Sequence, residues 1–276
     1  MNSPRRLVLL GHPVAHSLSP LMHNAALASA GIGVRYEAID VMPNHLPRVM
    51  DSLARERAAG NVTVPHKQAA MKAMKSVSPI AKKVNAINTF QVSDDGDLQG
   101  DNTDVAGFNA LVSSVIGEMP SGARVAVVGA GGAAAAVLAS AEEWNSATVK
   151  IYARRPDVAR DLAQRFKNVT GVEMLPVQGP LDCDIVVNAT TIGLYDERLP
   201  VPIDALPGSA VILDLVYKPG ETAWVRAARA AGHTASDGLE MLVEQGAASF
   251  EIWFGRSPDR EAMWKAVTEA SGLPQR

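Results

Sequence analysis

The chain has 276 residues, of which 47% are hydrophobic and 20% are charged, and its formal net charge is −3. A chain of this length has room for about two domains and can bury enough apolar surface to fold without disulfides or metals. With 26 basic and 29 acidic residues, it lacks the basic excess that would favour nucleic acid or an anionic membrane as a partner.

The single cysteine, Cys183, favours a reducing compartment, because it cannot form an internal disulfide. Two neighbouring acids, Asp182 and Asp184, would raise its thiol pKa, so it is predicted to be a small buried residue rather than a nucleophile. The first apolar run, residues 7–10, is too short for a secretory signal, and no apolar run approaches the roughly 18 residues of a membrane span. We therefore expect a cytoplasmic protein.

In the first part of the chain, short apolar runs alternate with helical patterns, which is typical of an α/β fold with a parallel sheet. Ser19 is predicted to be the N-cap of the first helix, with Pro20 at its first helical position. Asp94-Asp95-Gly96 predicts a hairpin turn. Strands are predicted at residues 7–10, 34–41, 61–64, 86–92 and 97–99, and helices at 19–30, 46–59 and 103–115.

Ser121-Gly122 marks a break, after which a second sheet is predicted. Its strands are expected at residues 124–129, 149–153, 185–189 and 211–215, separated by helical stretches such as 135–144 and 157–166. The pattern is helical again from 239 to 272.

The strand at 124–128 runs into Gly129-Ala130-Gly131-Gly132-Ala133-Ala134 and then a helix, the context that a dinucleotide-binding turn requires. Gly129 permits the tight turn, Gly131 lets the backbone approach a pyrophosphate, and Ala134 allows close packing of helix on strand. The helix N-terminus offers N–H groups to the phosphates. The alternative is a helix-start loop without a ligand.

The next strand ends in Arg154-Arg155, with no acid before Asp157. A site for NAD usually has Asp or Glu here, whereas arginines pair with a 2′-phosphate. The residues therefore favour NADP, the alternative being that these arginines only solvate the strand end.

Polar side chains cluster after the first strand. Ser17 and Ser19 are candidates to hold a carboxylate at a helix N-terminus. His16 and His23 lack a third ligand nearby, so structural hydrogen bonding is favoured over a metal site.

Lys67 follows a strand end and Pro65, where its ammonium can donate a proton or hydrogen bond to a polyhydroxylated substrate. Asp104 is the candidate partner in an acid/base pair, and the residues leave open which of the two is the formal proton donor. Taken alone, Lys67 also fits a surface lysine, and the Asn-rich runs around Asn88 and Asn102 also fit turns.

Together these runs resemble the shikimate dehydrogenase family, in the family's order along nearly the whole chain. The matching runs are Gly11, His16-Ser17-Leu18-Ser19-Pro20, His23-Asn24, Asn61-Val62-Thr63-Val64-Pro65-His66-Lys67, Asn88-Thr89, Asn102-Thr103-Asp104, Gly129-Ala130-Gly131-Gly132-Ala133, Asn188-Ala189-Thr190, Asp214-Leu215-Val216-Tyr217-Lys218-Pro219 and Gly238-Leu239-Glu240-Met241-Leu242-Val243-Glu244-Gln245-Gly246-Ala247.

The resemblance implies NADPH-dependent reduction of 3-dehydroshikimate to shikimate, with Lys67 and Asp104 at the reacting oxygen. It implies that the substrate carboxylate is held by Ser17, Ser19 and Tyr217, and that the ring hydroxyls are met by Thr63, Asn88 and Gln245. For the cofactor, it implies that the pyrophosphate is bound by Gly129, Ala130, Gly131, Gly132 and Ala133. It implies that the 2′-phosphate is bound by Arg154 and Arg155, and that the nicotinamide lies beside Leu215 and Gly238.

The implied fold class is α/β, with an N-terminal α/β substrate domain over residues 1–103 and a Rossmann-type NADP-binding domain over 104–238. The C-terminal helices, 239–276, are expected to return to the first domain. Monomer and homodimer both stay open.

The sequence departs from the family pattern at four places. Asn85 stands where Gly is usual, Val105 follows Asp104 where Gly is usual, Ala58-Ala59-Gly60 lacks the usual earlier Gly, and Ala153-Arg154-Arg155 replaces Asn-Arg-Thr. Relatives acting on quinate or aminoshikimate share most of these motifs, and so would a non-catalytic NADP-binding sensor. These are the alternative functions.

Overall fold

A computed structural model describes residues 3–272 of the chain. The strands are β1 (Leu7–Gly11), β2 (Tyr36–Asp40), β3 (Ala59–Val62), β4 (Ser76–Val77), β5 (Thr89–Val92), β6 (Leu98–Asp101), β7 (Arg124–Val128), β8 (Thr148–Ala153), β9 (Val169–Met174), β10 (Ile185–Asn188), β11 (Val211–Asp214) and β12 (Ala235–Ser236). The helices are α1 (Ser19–Ser29), α2 (Leu46–Arg55), α3 (Lys67–Met71), α4 (Pro79–Val84), α5 (Asp104–Ile116), α6 (Gly132–Glu143), α7 (Pro156–Ala163), α8 (Ala223–Ala230), α9 (Leu239–Phe254) and α10 (Arg260–Ser271).

The chain divides into two compact units. The first contains Met1–Gly107 and Leu242–Arg276, and the second contains Phe108–Met241. The divisions predicted from the sequence lie at 103/104 and 238/239 instead. That the first unit binds substrate and the second binds NADP stays a proposal.

The first unit contains a sheet of order β2-β1-β3-β5-β6-β4. The neighbours of β1 are parallel to it, whereas β5 runs antiparallel to both β3 and β6. The sheet is therefore mixed, and the expected parallel sheet holds here only for part of it. The hairpin predicted at Asp94-Asp95-Gly96 does join β5 to β6. Phe90 and Leu10 on the sheet pack with Met50 and Leu53 on α2 in one apolar core.

The second unit contains an all-parallel sheet of order β12-β11-β10-β7-β8-β9. Numbered within the unit, this is the strand order of the Rossmann fold. The chain builds outward from β7 through β8 to β9, then returns to the other side of β7 with β10. The point where the order reverses lies between β7 and β10, and α/β sheets bind ligands outside the carboxyl ends of the strands at such a point.

Helices α9 and α10 occupy the helical region predicted over 239–272. They are separated at Gly255, which has a positive φ of 64°, and the segment after it contains Pro258. The C-terminal segment belongs to the first unit, as expected, where α10 packs against α1. The Trp253 indole N–H donates to the Phe90 carbonyl oxygen at 3.2 Å, which ties α9 to the sheet.

The boundaries predicted for α2, β3 and β5 were wrong, and backbone hydrogen bonds account for the end of α2 and the start of β5. Helix α2 stops at Arg55 rather than 59, since Arg57 adopts a left-handed φ of 53° and the Ala58 N–H bonds back to the Leu53 carbonyl. Residue 59 therefore begins β3, which ends at Val62 rather than 64. Strand β5 begins at Thr89 rather than 86, because the N–H of Ile87 bonds to Lys67 outside the ladder.

Candidate active site

One edge of the first sheet gathers most of the predicted polar residues. The carboxyl ends of β1 and β3 lie side by side there, and the Thr63 N–H donates to the Leu10 carbonyl at 2.8 Å. Since β5 runs antiparallel to β3, its first residue and the preceding Asn88 lie at the same edge. Strand β6 ends there too, so it delivers Asp104 at the start of α5. The topology explains why residues distant in sequence meet.

Lys67 and Asp104 form the central ion pair of this edge. Each is the first residue of its helix, α3 and α5 respectively. The Lys67 Nζ lies 2.6 Å from Asp104 Oδ2, and the two side chains are 18% and 6% exposed. The positive end of the α5 dipole favours a carboxylate at this position. The ammonium remains within reach of solvent while its partner is nearly covered.

Asn88 holds the other oxygen of this carboxylate. Its Nδ2 donates to Asp104 Oδ1 at 2.9 Å and lies 3.1 Å from Gln245 Oε1. Gln245 is fixed in turn, since its Nε2 donates to the Leu242 carbonyl on its own helix. The structure thus joins four predicted site residues, Lys67, Asp104, Asn88 and Gln245, in one hydrogen-bonded chain.

Ser17 and Ser19 lie after β1 at the start of α1, but the predicted capping role was wrong. The N-cap of α1 is Leu18, without a side-chain hydrogen bond, and Ser19 is the first helical residue. The Ser17 Oγ instead accepts a hydrogen bond from the Ser19 N–H at 3.2 Å. Thr63 is half-buried at the neighbouring end of β3. The contribution of these three residues to substrate binding stays a prediction.

Asn85, a departure from the family pattern, has a backbone explanation. It is the C-cap of α4 and has φ 54° and ψ 40°, the left-handed region. Glycine is the usual residue at such a position and asparagine is the commonest alternative. The exchange therefore preserves the end of a helix, and it does not by itself indicate a different substrate.

The glycine-rich turn of the second unit lies at the switch point of its sheet. Gly129 has φ 122°, and a Cβ there would lie 2.8 Å from the Ala189 carbonyl oxygen, so only glycine fits. A Cβ on Gly131 would meet nothing within 4 Å, so the backbone is open to an approaching group. Helix α6 begins at Gly132 with no side-chain cap. These features fit a pyrophosphate on the α6 N-terminus, beside Ala130 and Ala133.

Arg154 and Arg155 follow β8, which is the parallel neighbour of β7, so they lie at the same edge as the glycine-rich turn. Both side chains are exposed. Within residues 3–272, neither guanidinium has a carboxylate partner within 4 Å. Both positive charges are therefore available to an anionic ligand.

Leu215 and Gly238 are brought together in the second unit. The Gly238 N–H donates to the Val216 carbonyl at 3.1 Å, and a Cβ on Gly238 would lie 2.4 Å from the Leu215 carbonyl oxygen. Tyr217 follows in the same loop and is half-buried. It belongs to the second unit, whereas the other predicted substrate ligands belong to the first, so its role stays a prediction.

A buried carboxylate supports this loop. Asp214 Oδ1 accepts from the Asn188 amide at 2.8 Å and the Val216 N–H at 3.1 Å, and Oδ2 accepts from the Thr222 hydroxyl at 2.7 Å. Burial nevertheless raises the pKa of Asp214 to about 6, and these hydrogen bonds offset only part of the shift. Asp214 thus anchors the start of the segment that carries Leu215 and Tyr217.

His23 differs from its predicted structural hydrogen-bonding role. Neither ring nitrogen has a hydrogen-bond partner in the part of the chain that the structure describes. The ring is stacked on Tyr36, with 4.4 Å between centroids, and lies 5.1 Å from Trp253. Burial lowers the pKa of His23 to about 3. Among residues 3–272, no cluster of three His, Cys, Asp or Glu residues is placed to hold a metal.

Cys183 is buried, as its sequence context predicts, and burial raises the pKa of its thiol to about 12. No helix among the described residues combines the length and apolar character needed to cross a membrane.

Comparisons with known proteins agree with this arrangement. The family model of the shikimate dehydrogenase substrate binding domain matches residues 9–90, and that of the shikimate 5'-dehydrogenase C-terminal domain matches residues 238–268. Shikimate dehydrogenase (NADP(+)) of Rubrobacter xylanophilus is 40% identical over 271 residues, 94% of this chain and 94% of that protein. The chain belongs to the shikimate dehydrogenase family.

Solved structures of this family and its neighbours share the fold of the chain. Shikimate 5-dehydrogenase from Thermus thermophilus, solved in complex with NADP(H) and shikimate, has a TM-score of 0.86 and 38% identity, covering 96% of this chain and 99% of that chain. The ligand-free 5-ketofructose reductase of a Gluconobacter species has a TM-score of 0.84 and 30% identity, covering 97% and 99%.

Several buried residues around the site of this shikimate dehydrogenase family member were not predicted to have a role. Asn61 and Asp214 lie in runs that match the family but had no predicted function of their own, and Ser249 lies outside the predicted site residues. A usable signal existed for Ser249, because it follows Gln245 by four residues and so lies on the same face of α9.

Proposed function

We propose that this member of the shikimate dehydrogenase family catalyses the reversible NADPH-dependent reduction of 3-dehydroshikimate to shikimate. The observation that carries the proposal is the hydrogen-bonded chain from Lys67 through Asp104 and Asn88 to Gln245. It places a cation and a fixed carboxylate beside amides that suit a polyhydroxylated ring, in a chain whose relatives are shikimate dehydrogenases.

Lys67 is the group that we assign to the reacting oxygen. Its ammonium carries three hydrogens, and one is directed at Asp104, which leaves two for a substrate oxygen. As the ketone oxygen gains negative charge, the ammonium stabilises it and transfers a proton to it. Because Lys67 is partly exposed, solvent can restore that proton after the reaction.

Asp104 and Asn88 are assigned to orientation. The carboxylate holds the ammonium through Oδ2, while the Asn88 amide fixes Oδ1, so that the pair cannot rotate. The remaining lone pairs of the carboxylate can accept a ring hydroxyl. Ser17 and Ser19, with Tyr217, are proposed to hold the substrate carboxylate, and Thr63, Asn88 and Gln245 the ring hydroxyls.

NADP(H) supplies the hydride for this reaction when it is bound. We assign its pyrophosphate to the open backbone of Gly129–Ala133 and its 2′-phosphate to Arg154 and Arg155. Leu215 and Gly238 are assigned to the nicotinamide.

The decisive experiment measures turnover with shikimate, quinate and aminoshikimate, each with NADP+ and NAD+. We expect shikimate with NADP+ to give the highest kcat/KM. A higher kcat/KM for quinate or aminoshikimate would reassign the substrate, while NADP+ binding without turnover of any substrate would support a non-catalytic sensor.

Lys67→Met, which keeps the length of the side chain but removes its charge, should lower kcat about 100-fold or more with little change in NADP+ affinity. Lys72→Met, on a lysine one turn beyond, is the control and should retain wild-type turnover. Near-normal turnover of the Lys67 variant would contradict the assignment.

A second candidate is reduction of a different polyhydroxylated ketone. The relation to the 5-ketofructose reductase, at 30% identity over nearly the whole of both chains, favours testing it. Oxidation of NADPH by 5-ketofructose, compared directly with 3-dehydroshikimate, distinguishes the two. Light scattering of the purified protein would decide between the predicted monomer and homodimer.

A further inference from the structure

Ser249 lies behind the candidate active site, fully buried on α9. Its Oγ donates to the Gln245 carbonyl at 3.0 Å and accepts from the Asn61 amide at 2.9 Å. A third contact, at 3.1 Å, joins it to the Thr103 hydroxyl. Because the single hydrogen of Ser249 is used by Gln245, Thr103 must be the donor in that contact. All hydrogen-bonding positions of the Ser249 hydroxyl are then filled.

The Thr103 hydroxyl connects Ser249 to Asn88. With its own hydrogen directed at Ser249, Thr103 presents a lone pair to the Asn88 Nδ2 at 2.9 Å. Because the two hydrogens of that amide have three acceptors, Thr103 Oγ1, Asp104 Oδ1 and Gln245 Oε1, one of them is shared. The Asn88 Oδ1 accepts a hydrogen bond from the Thr103 backbone N–H at 2.7 Å. This bond determines which end of the side-chain amide carries the oxygen and which carries the nitrogen. The Asn88 Nδ2 is thereby aimed at Asp104 Oδ1.

Asn61 supplies a second connection. Its Nδ2 donates both to Ser249 and to the Asn88 backbone carbonyl, at 3.1 Å, and its Oδ1 accepts from the Tyr36 hydroxyl at 2.8 Å. Asn61 is 4% exposed and Asn88 is 2% exposed, so no solvent replaces a partner that is lost.

We infer that Ser249 is a positioning residue for the reaction proposed above: through Thr103 and Asn61 it orients the Asn88 amide, and thereby the carboxylate of Asp104. Without the Ser249 hydroxyl, the one acceptor that remains for the Thr103 hydroxyl among residues 3–272 is Asn88 Oδ1 at 3.2 Å. If the Thr103 hydroxyl donates to Asn88 Oδ1, it competes with the Thr103 backbone N–H for that oxygen. Its lone pair then no longer points at the Asn88 Nδ2. The role rests on the proposed function, since it concerns the same pair of reacting groups.

The first test compares Ser249→Ala with Ser271→Ala. Ser271 is also buried in the first unit, on α10, and its hydroxyl has no hydrogen-bond partner among residues 3–272. We expect Ser249→Ala to lower kcat/KM for shikimate about tenfold, with NADP+ affinity unchanged. Ser271→Ala should keep the wild-type value.

A matched pair at the same position separates the hydroxyl from packing. Ser249→Thr keeps the hydroxyl, and Ser249→Val has nearly the same shape without it. Both add the same bulk to the buried site, so any effect on folding is shared. We expect the Thr variant to be about tenfold more active than the Val variant.

A double-mutant cycle tests the route through Asn88. If Ser249 acts through that amide, Ser249→Ala should lower kcat/KM by less than about twofold once Asn88 is replaced by Ala. If Ser249→Ala acted only by destabilising the fold, it would lower kcat/KM by the same factor in the Asn88 variant as in the wild type. Three results would overturn the role of Ser249 alone while the wild-type protein is active. The first is equal kcat/KM for Ser249→Ala and Ser271→Ala, and the second is equal activity of the Thr and Val variants. The third is a Ser249→Ala effect that multiplies with the Asn88 effect. Wild-type protein inactive on every substrate would overturn the proposed function and this role with it.

Discussion

Replacing the buried Asp214 by Asn should make the protein more stable above pH 6. The Asp214 side chain is 0% exposed, and burial raises its pKa from the ordinary 3.8 to about 6. Asparagine has the same shape and no charge. Its Oδ1 can keep the bonds from Asn188 and Val216, and its Nδ2 can donate to the Thr222 oxygen, which also accepts from the Val225 N–H.

The sign and size of the effect follow from proton binding. Between about pH 4 and pH 6 the folded wild type holds a proton on Asp214 that the unfolded chain has released, so wild-type stability falls as the pH rises. The Asn variant has no such loss. A shift of roughly 2 pKa units corresponds to about 3 kcal/mol, so the variant should gain about that much relative to wild type between pH 4 and pH 7.

Urea unfolding of both proteins from pH 4 to pH 8, followed by tryptophan fluorescence, measures the difference. Subtracting wild type from variant removes the pH dependence of all unchanged groups. Asp184→Asn is the control, because the hydrogen bonds from Arg124 lower the pKa of Asp184 below its ordinary 3.8. Its titration therefore lies below this pH range, and its stability difference from wild type should stay nearly constant above about pH 5. A stability difference between Asp214→Asn and wild type that stays constant with pH would contradict the raised pKa of Asp214.

Three further predictions concern separate features. The double change Arg154→Ser and Arg155→Ser should raise KM for NADP+ about 10- to 100-fold and leave KM for NAD+ unchanged. Arg160→Ser, on an exposed residue of the next helix, is the control. An equal rise in KM for both cofactors in steady-state kinetics would contradict the 2′-phosphate assignment. His23→Phe should reduce the loss of stability that occurs as the pH falls below about 6.5, because at that pH His23 is protonated in the unfolded chain but not in the folded protein. Acid unfolding curves identical to those of the wild type would contradict this prediction. Cys183 should resist iodoacetamide at pH 8 in the folded protein and react once urea unfolds it, as mass spectrometry would show; rapid native labelling would contradict its burial.

Local patterns were sufficient for much of the second unit. The strand, glycine-rich turn and helix around Gly129 are local in sequence, and a parallel strand followed by a helix has few ways to pack. The parallel strands that were predicted lie within a residue or so of their observed bounds, whereas the two edge strands, β9 and β12, were not predicted. Burial and raised pKa at Cys183 were also predictable, because its apolar and acidic neighbours lie beside it in the sequence.

Local patterns were insufficient where one residue changes a backbone direction. Arg57 ends α2 in a left-handed conformation that no propensity of arginine predicts. Ser19 has the side chain of an N-cap, yet the turn around Ser17 makes it the first helical residue. In both cases the backbone hydrogen bonds at the helix end, from the Ala58 N–H to the Leu53 carbonyl and from the Ser19 N–H to the Ser17 Oγ, go with a geometry that residue propensities do not specify.

The ordered motifs along the chain are sufficient to identify the family, the α/β class and the paired groups, because they carry that information residue by residue. Lys67 and Asp104 were predicted as partners although 37 positions separate them. How that pair is held depends on the tertiary fold. The antiparallel β5 and β6 bring Asn88 and Asp104 to the end of β3, and α9 returns from the far end of the chain to place Gln245 and Ser249 against them. Hydrogen bonds of about 3 Å between such distant residues arise from packing and strand order, which no local pattern encodes.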